Sequence, residues 1–278
     1  MRYGTTIFSA DSRQIYRQMS IATAKPSLKE LARVPHYFID HIDITEGYSV
    51  GKYEKEFDQK LTQYFNHNDI GIVVGGTGLY IKAILEGLDD FNDIDVEVKN
   101  NLQASYEQKG TEYLQELLQK LDPNYYAQVD QHNPRRLIRA LEVCLNTGMP
   151  YSDFLAKKEK KILNCIPIMI GLELPRKEMY AHIDQRVVQM IDDGLIAEVT
   201  NLHHQRGLAA LDTVGCTEIF DYLDGKHSKE EAIALIQRNS RRYAKRQLTW
   251  FKKYGEWQWF LPTQRDEVIA YIERNFVG

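Results

Sequence analysis

An α/β protein built on an open parallel sheet is what this sequence predicts, and three observations lead there. Residues 70–74 (I-G-I-V-V) are a short apolar, β-branched run of the kind buried on both faces of a parallel sheet. Glycines at 75, 76 and 78 follow at once, and then Leu79, Ile81, Ala83, Ile84 and Leu85 continue with a helical pattern. Strand, glycine turn and helix is a layout that points backbone N–H groups at an anion or polar ligand, with the Thr77 hydroxyl at its mouth. Finally, residues 5–10 (T-T-I-F-S-A) read as a second strand, with Asp11, Ser12, Arg13 and Gln14 just past its carboxyl end, the edge where parallel sheets bind ligands.

Composition narrows the class further. A chain of 278 residues holds one large α/β domain, or one core carrying an insertion. With 43% hydrophobic and 27% charged residues it has an ordinary globular make-up, and no apolar run approaches a membrane span. No signal-peptide pattern opens it, and Cys144, Cys165 and Cys216 have neither metal-ligand nor disulfide-framework spacing, which fits a reducing cytoplasm. A net charge of −4 argues against a uniformly basic nucleic-acid binder, although the charge is unevenly placed.

Each element can be justified in turn. Asp11 is placed either to cap a helix, with Gln14 completing a capping box, or to act in catalysis, and the two roles can coexist. Ser27 caps a short helix after the turn at 24–26, and residues 34–40 (V-P-H-Y-F-I-D) read as a strand entered through proline. The spacing of His36, Asp40 and His41 matches no zinc or iron site. Aromatics and Leu61 recur at helical spacing over 48–66, predicting an amphipathic crossover helix. Its leading G-Y-S-V-G-K lacks phosphate-loop spacing and has Tyr53 where Ser or Thr must stand. Residues 89–95 are acidic and irregular, 96–121 are helical with a break at Lys109–Gly110, and Pro123 starts another short helix. The loop 131–134 delivers Arg135, Arg136 and Arg139 onto the next helix, either to recognise phosphate or as a solvated face. Residues 157–161 form a basic linker, 166–174 return as a buried strand, and 176–190 form a helix carrying Arg186. The small-residue turn at 213–217 precedes one more helix. Residues 232–255 then carry seven basic residues and no acidic one, interleaved with Tyr243, Trp250 and Phe251. Such a helix either follows an RNA backbone or buries its aromatics; a mixed role is expected, with Ile236, Leu248 and Trp250 in the core.

Six stretches in this order resemble one family, the tRNA dimethylallyltransferases. They are S-A-D-S-R-Q-I-Y at 9–16, T-A-K-P at 23–26, V-P-H-Y-F-I-D at 34–40, V-G-G-T-G-L-Y-I-K-A-I-L-E-G-L at 74–88, R-R-L-I-R-A-L-E-V at 135–143 and R-R-Y-A-K-R-Q-L-T-W-F at 241–251. The resemblance implies a P-loop NTPase-like parallel-sheet core, over 1–90 and 161–278, with a mostly helical, tRNA-contacting insertion over 91–160. It implies transfer of a dimethylallyl group from dimethylallyl diphosphate, with Mg²⁺, to the exocyclic amine of the adenosine 3′ of a tRNA anticodon. Asp11 takes the place of the general base and Thr77 lies against the target base. The tRNA contacts fall on Asp11, Ser12, Arg13, Gln14, Thr77, Lys99, Arg135, Arg136, Leu137, Ile138 and Arg139. Lys99 stands where arginine is usual, and a diphosphate ligand falls on Arg186. V-G-C-T at 214–217 departs from the usual V-G-Y-[KR], losing an aromatic and a cation near the RNA. A cytoplasmic monomer, not bound to membranes, is expected.

The family pattern opens with a strand and G-P-T-[AG]-x-G-K-[ST], whereas Met1-Arg2-Tyr3-Gly4 matches the tail of the helix that follows it. The expectation is therefore a sheet without its first strand and phosphate loop, with apolar edges exposed. Two other readings stand beside the main one: a non-catalytic RNA-binding module, and an enzyme prenylating free AMP. The arginine cluster and the basic aromatic helix favour a large RNA over a mononucleotide.

Overall fold

A computed structural model of the protein describes residues 3–88, 94–156 and 161–276. Met1 and Arg2, most of the acidic stretch 89–95 and most of the basic linker 157–161 lie outside the described residues. The chain forms two compact units, one of Met1–Leu85 with Leu163–Gly278 and one of Glu86–Ile162.

The elements run β1 (Ile7–Ser9), α1 (Leu28–Arg33), β2 (His36–Tyr37), α2 (Val50–Phe65), β3 (Ile72–Val74) and α3 (Gly78–Glu86). The helical unit follows with α4 (Val96–Leu121), α5 (Pro123–Tyr126), α6 (Pro134–Thr147) and α7 (Tyr151–Ala156). The first unit resumes with β4 (Ile170–Leu172), α8 (Arg176–Asp192), α9 (Leu195–Leu202), α10 (Cys216–Leu223), α11 (Lys229–Lys253), β5 (Gln258–Phe260) and α12 (Arg265–Asn275). No helix among the described residues is long and apolar enough to cross a membrane.

The strands form two parallel sheets, β2-β1-β3 and β4-β5. β1 is central, with Ile7 opposite both His36 and Ile72, and its Phe8 is fully buried. β2 stops after two residues because Phe38 (φ 65°) and Asp40 (φ 51°) turn the chain into the left-handed region. Two expected strands are shorter and more exposed than their composition predicts. β3 is an edge, with Val73 38% and Val74 54% exposed, so it is not buried on both faces. Among the described residues β4 pairs only with β5; Leu172 is 57% and Ile166 81% exposed, which corrects the buried strand expected over 166–174. In both cases the apolar run anticipates a neighbour that the described residues do not supply.

Helix α2 shows why its sequence folds as it does. Ser49 accepts the Lys52 N–H at its start, and Tyr53, Phe57 and Tyr64 fall on one buried face. Burying an aromatic of this size stabilises by about 1.5–3 kcal/mol. These rings pack with Phe8, Phe38 and Tyr80 in one apolar cluster, while Ile15, Met19, Leu195, Leu211, Cys216, Ile219 and Ile236 lie in a second.

In the helical unit, α4 breaks at Gly110 (φ 75°, ψ −169°), where a side chain would be strained. Its Leu102, Leu114 and Leu118 pack with Leu137, Ala140 and Leu141 of α6. The fully buried Asp122 caps α5 by accepting the Tyr125 N–H and also takes the N–H and hydroxyl of Ser152, so its charge is compensated.

Candidate active site

The carboxyl ends of β1 and β3 are stitched together through backbone. Ala10 N–H donates to Val74 O at 2.7 Å and Thr77 N–H to Ala10 O at 3.2 Å. This places Thr77 beside the turn after β1: its hydroxyl accepts the Ser12 N–H at 3.0 Å and donates to Ser12 Oγ at 3.2 Å. Asp11 and Thr77, 66 positions apart in sequence, thus flank the same serine at one rim of the sheet.

No helix follows Asp11. The segment is a turn, and Asp11 Oδ1 closes it by accepting N–H groups from Arg13 (2.8 Å) and Gln14 (3.2 Å). The helix-capping alternative is therefore corrected to an Asx turn. Gln14 forms no capping box; its amide donates to Thr23 O at 3.2 Å and Ala24 O at 3.1 Å. The Arg13 guanidinium donates to the carbonyls of Ala209 (3.1 Å), Ala210 (3.0 Å) and Asp212 (2.8 Å). Without regular structure, residues 11–25 leave backbone groups that must find partners elsewhere, and charged side chains supply them. Glu198 likewise accepts the consecutive N–H groups of Ser20, Ile21 and Ala22. Asp11 Oδ2 has no hydrogen-bond partner among the described residues.

The glycines at 75, 76 and 78 answer close approach. A Cβ on Gly75 would lie 2.2 Å from Ala10 O, one on Gly76 2.1 Å from Gln247 Nε2, and one on Gly78 2.5 Å from Trp250. Helix α11 supplies two of these contacts, and Gln247 also donates to Gly76 O at 2.9 Å. Tyr243 of α11 lies in the same electrostatic neighbourhood: desolvation raises its hydroxyl pKa, and the nearby Asp11 charge adds to the rise. Sequence reasoning missed Tyr243 and Gln247 as site residues. The available signal was their spacing with Trp250, at i, i+4 and i+7 on one helix face.

Arg186 projects from α8 into the same electrostatic neighbourhood. Desolvation lowers its pKa and the Asp11 carboxylate opposes that shift. Arg241 of α11 pairs with Asp184 of α8, holding the two helices together. Below the rim, Tyr80 stacks on Tyr53 with centroids 3.8 Å apart, and Tyr53 donates to Ser9 O at 3.0 Å. Burial raises both hydroxyl pKa values, keeping the floor neutral.

The remaining sequence-predicted residues lie in the helical unit. Arg135, Arg136 and Arg139 are exposed on α6, as is Lys99 on α4. Leu137 is fully buried in the helical core and Ile138 partly so, leaving the arginines as the outward face of that stretch. Asn133 caps α6, and beside it Gln103, Tyr106, His132 and Arg135 line an open cleft of about 480 Å³. In the first unit, Ile236 is buried on α11, Leu248 and Trp250 are half-buried, and Arg238, Arg242, Lys245 and Arg246 are exposed. The departure at V-G-C-T has a structural use: Cys216 is fully buried among apolar side chains, its thiol pushed up to about 12 by desolvation.

The family model described as IPP transferase matches residues 14–254. The tRNA dimethylallyltransferase of Christiangramia forsetii is 48% identical over 97% of this chain and 89% of its own length. The crystal structure of the full-length tRNA isopentenylpyrophosphate transferase from Bacillus halodurans superposes with a TM-score of 0.69 at 36% identity, covering 99% of this chain and 89% of that one. A eukaryotic dimethylallyltransferase acting on tRNA shares the fold with a TM-score of 0.84 at 22% identity, covering 99% of this chain and 73% of that one. The α/β core is thus of the P-loop NTPase-like type of those structures, and the chain belongs to the IPP transferase family, that of the tRNA dimethylallyltransferases.

Proposed function

We propose that this protein transfers a dimethylallyl group from dimethylallyl diphosphate to the exocyclic amine of the adenosine 3′ of a tRNA anticodon. The observation that carries the reading is the Thr77–Ser12 hydrogen bonding, which holds Thr77 at the sheet rim beside the turn that Asp11 closes, with Arg186 close enough for its charge to feel Asp11. An adenine exocyclic amine is a poor nucleophile because its lone pair is delocalised into the ring. As the new C–N bond forms, a proton must leave that nitrogen, and Asp11 Oδ2 accepts it while Oδ1 stays anchored to the turn. The Thr77 hydroxyl, oriented by Ser12, faces the base edge. Arg186 supplies positive charge toward the departing diphosphate. The exposed arginines of α6 hold the RNA backbone in a salt-dependent way. Extruding the adenosine from its stack costs a few kcal/mol and is easiest in a loop.

Magnesium does not fit as a protein-caged ion: among the described residues no three His, Cys, Asp or Glu side chains converge. Any Mg²⁺ in the reaction would travel with the diphosphate oxygens rather than sit in a cage built by these side chains.

The test is incubation with an anticodon stem-loop RNA and dimethylallyl diphosphate, followed by mass analysis of the released nucleosides. The expected product is adenosine heavier by one dimethylallyl group. Asp11→Ala should lower the rate by about 10²–10⁴-fold while RNA affinity holds. Equal loss of rate and affinity would reduce Asp11 to a turn-former. Transfer to AMP but not RNA would overturn the substrate assignment.

A further inference from the structure

The T-A-K-P and V-P-H-Y-F-I-D stretches play no part in the chemistry above, yet they meet in the structure. Lys25 is their junction. Its side chain is 4% exposed, and its ammonium donates to Tyr16 O at 2.6 Å and Arg17 O at 3.3 Å and pairs with the Asp40 carboxylate. Three non-glycine residues in the left-handed region surround this contact: Ala24 (φ 46°), Phe38 (φ 65°) and Asp40 (φ 51°). Backbone of that kind persists only where its surroundings over-determine it, and it gathers at functional sites.

The connection to the rim is traceable bond by bond. Lys25 N–H donates to Ser20 O and Asp40 N–H to Gln14 O, so the ammonium closes a ring around residues 14–25 and 40. The carbonyls of Thr23 and Ala24, just before Lys25, hold the Gln14 side chain. The Gln14 N–H, in turn, donates to Asp11 Oδ1. On the far side, Arg17 donates to Asp40 O and His41 O, fastening the same two segments again. We propose that Lys25 is a positioning residue for the reaction: the Lys25–Asp40 latch sets the turn that aims the free oxygen of Asp11. This rests on the catalytic reading of Asp11 given above. The latch works through Gln14 and touches no substrate.

The design of a buried cation with three oxygen partners gives the latch its stiffness. Replacing Lys25 by methionine keeps most of the volume and leaves Tyr16 O, Arg17 O and Asp40 Oδ1 without the ammonium. Asp40→Asn is the milder variant, since the Asp40 side chain is 47% exposed and the fold does not depend on burying it.

The experiment compares wild type, Lys25→Met, Asp40→Asn, Gln14→Ala and the Lys25→Met/Gln14→Ala pair. Two readouts are used, well below each variant's unfolding temperature. Amide hydrogen exchange of the peptide spanning residues 11–16 needs no activity. It should speed by about tenfold or more in Lys25→Met and less in Asp40→Asn, as local opening is eased. Single-turnover transfer at saturating RNA and donor should fall by about 10–100-fold in Lys25→Met, with RNA affinity within about twofold, as expected for a small misplacement of a reacting group. The paired variant should be no slower than the slower single variant, because both changes cut one chain of contacts. Unchanged exchange in residues 11–16 for both Lys25→Met and Asp40→Asn overturns the latch whatever the activity. Additive rate losses, or a loss of RNA affinity matching the loss of rate, overturn its route through Gln14. Failure of the wild type to transfer would instead refute the proposed function, and the exchange result would still decide whether the latch holds the turn.

Discussion

Gly75→Ala puts the rim geometry to its most direct test. A Cβ at this position would lie 2.2 Å from Ala10 O, 2.3 Å from Ala10 C and 2.7 Å from Ala10 Cα. All three are backbone atoms, so no side-chain rotation relieves the clash, and the two segments must part by about 1.2 Å to reach an ordinary 3.4 Å contact. Over-packing of this kind costs about 1–3 kcal/mol, and a rigid backbone neighbour places it near the upper end. For a unit of this size that lowers the melting temperature by about 6–12 °C, at about 2–4 °C per kcal/mol. The larger effect falls on chemistry. Ala10 leads directly into Asp11, and Thr77 N–H hangs on Ala10 O, so separating the segments moves Asp11 and Thr77 apart. A displacement of about 1 Å costs about 10²-fold in rate. Gly76→Ala is the control: its Cβ meets only the end of the Gln247 side chain, which can swing away at the loss of one hydrogen bond, about 1 kcal/mol. Melting curves and single-turnover transfer at a temperature where both variants are folded give the comparison. A Gly75→Ala enzyme within threefold of wild type, or one no worse than Gly76→Ala, would refute the claim that this contact sets the distance between Asp11 and Thr77.

Replacing Arg135, Arg136 and Arg139 together by alanine should weaken anticodon stem-loop binding and flatten its salt dependence, with turnover at saturating RNA little changed; filter binding across a salt series reads both, and an unchanged slope would make them a solvated face. Cys216 carries a signature at high pH. Its unfolded thiol ionises near 9 while the folded one holds its proton up to about 12, so above pH 9 the unfolded state binds fewer protons and stability falls until about pH 12. Cys216→Ala should lessen that slope in denaturant titrations, most clearly between about pH 9 and pH 10, before the tyrosines whose hydroxyls burial also raises begin to contribute; an unchanged slope there would refute the assignment to Cys216. Labelling with an alkylating reagent at pH 8 should modify the half-buried Cys165 well before the buried Cys144 and Cys216, and faster labelling of Cys216 would contradict its burial.

How legible the site was in the sequence differs from residue to residue. The corner that carries Thr77 is legible because glycines, an apolar run and a helical pattern are local signals, and they mark strand, turn and helix wherever the chain goes. The place of Asp11, just past the end of a readable strand, is legible for the same reason. Its structural role was only half legible: a carboxylate followed by three polar residues satisfies both a helix cap and an Asx turn, and the choice depends on whether Gln14 finds Thr23 and Ala24 across the loop. Tyr243 and Gln247 were hidden because their helix reads as a basic, RNA-facing surface, and nothing local says which of its faces meets the glycines. Lys25 looked like a turn residue, since burial of a lysine is invisible without the carbonyls that surround it.

The sequence by itself determined the α/β class, the order of the helices and the identity of the corner at residues 75–78, because periodicity, caps and glycines act over a few neighbouring residues. Only the tertiary structure decided which apolar strands end as exposed edges, which charged side chains are spent on backbone carbonyls, and which helix closes the rim. Those outcomes depend on partners tens to hundreds of residues away, and a hydrogen-bonding group carries no mark in the chain of the partner that will satisfy it.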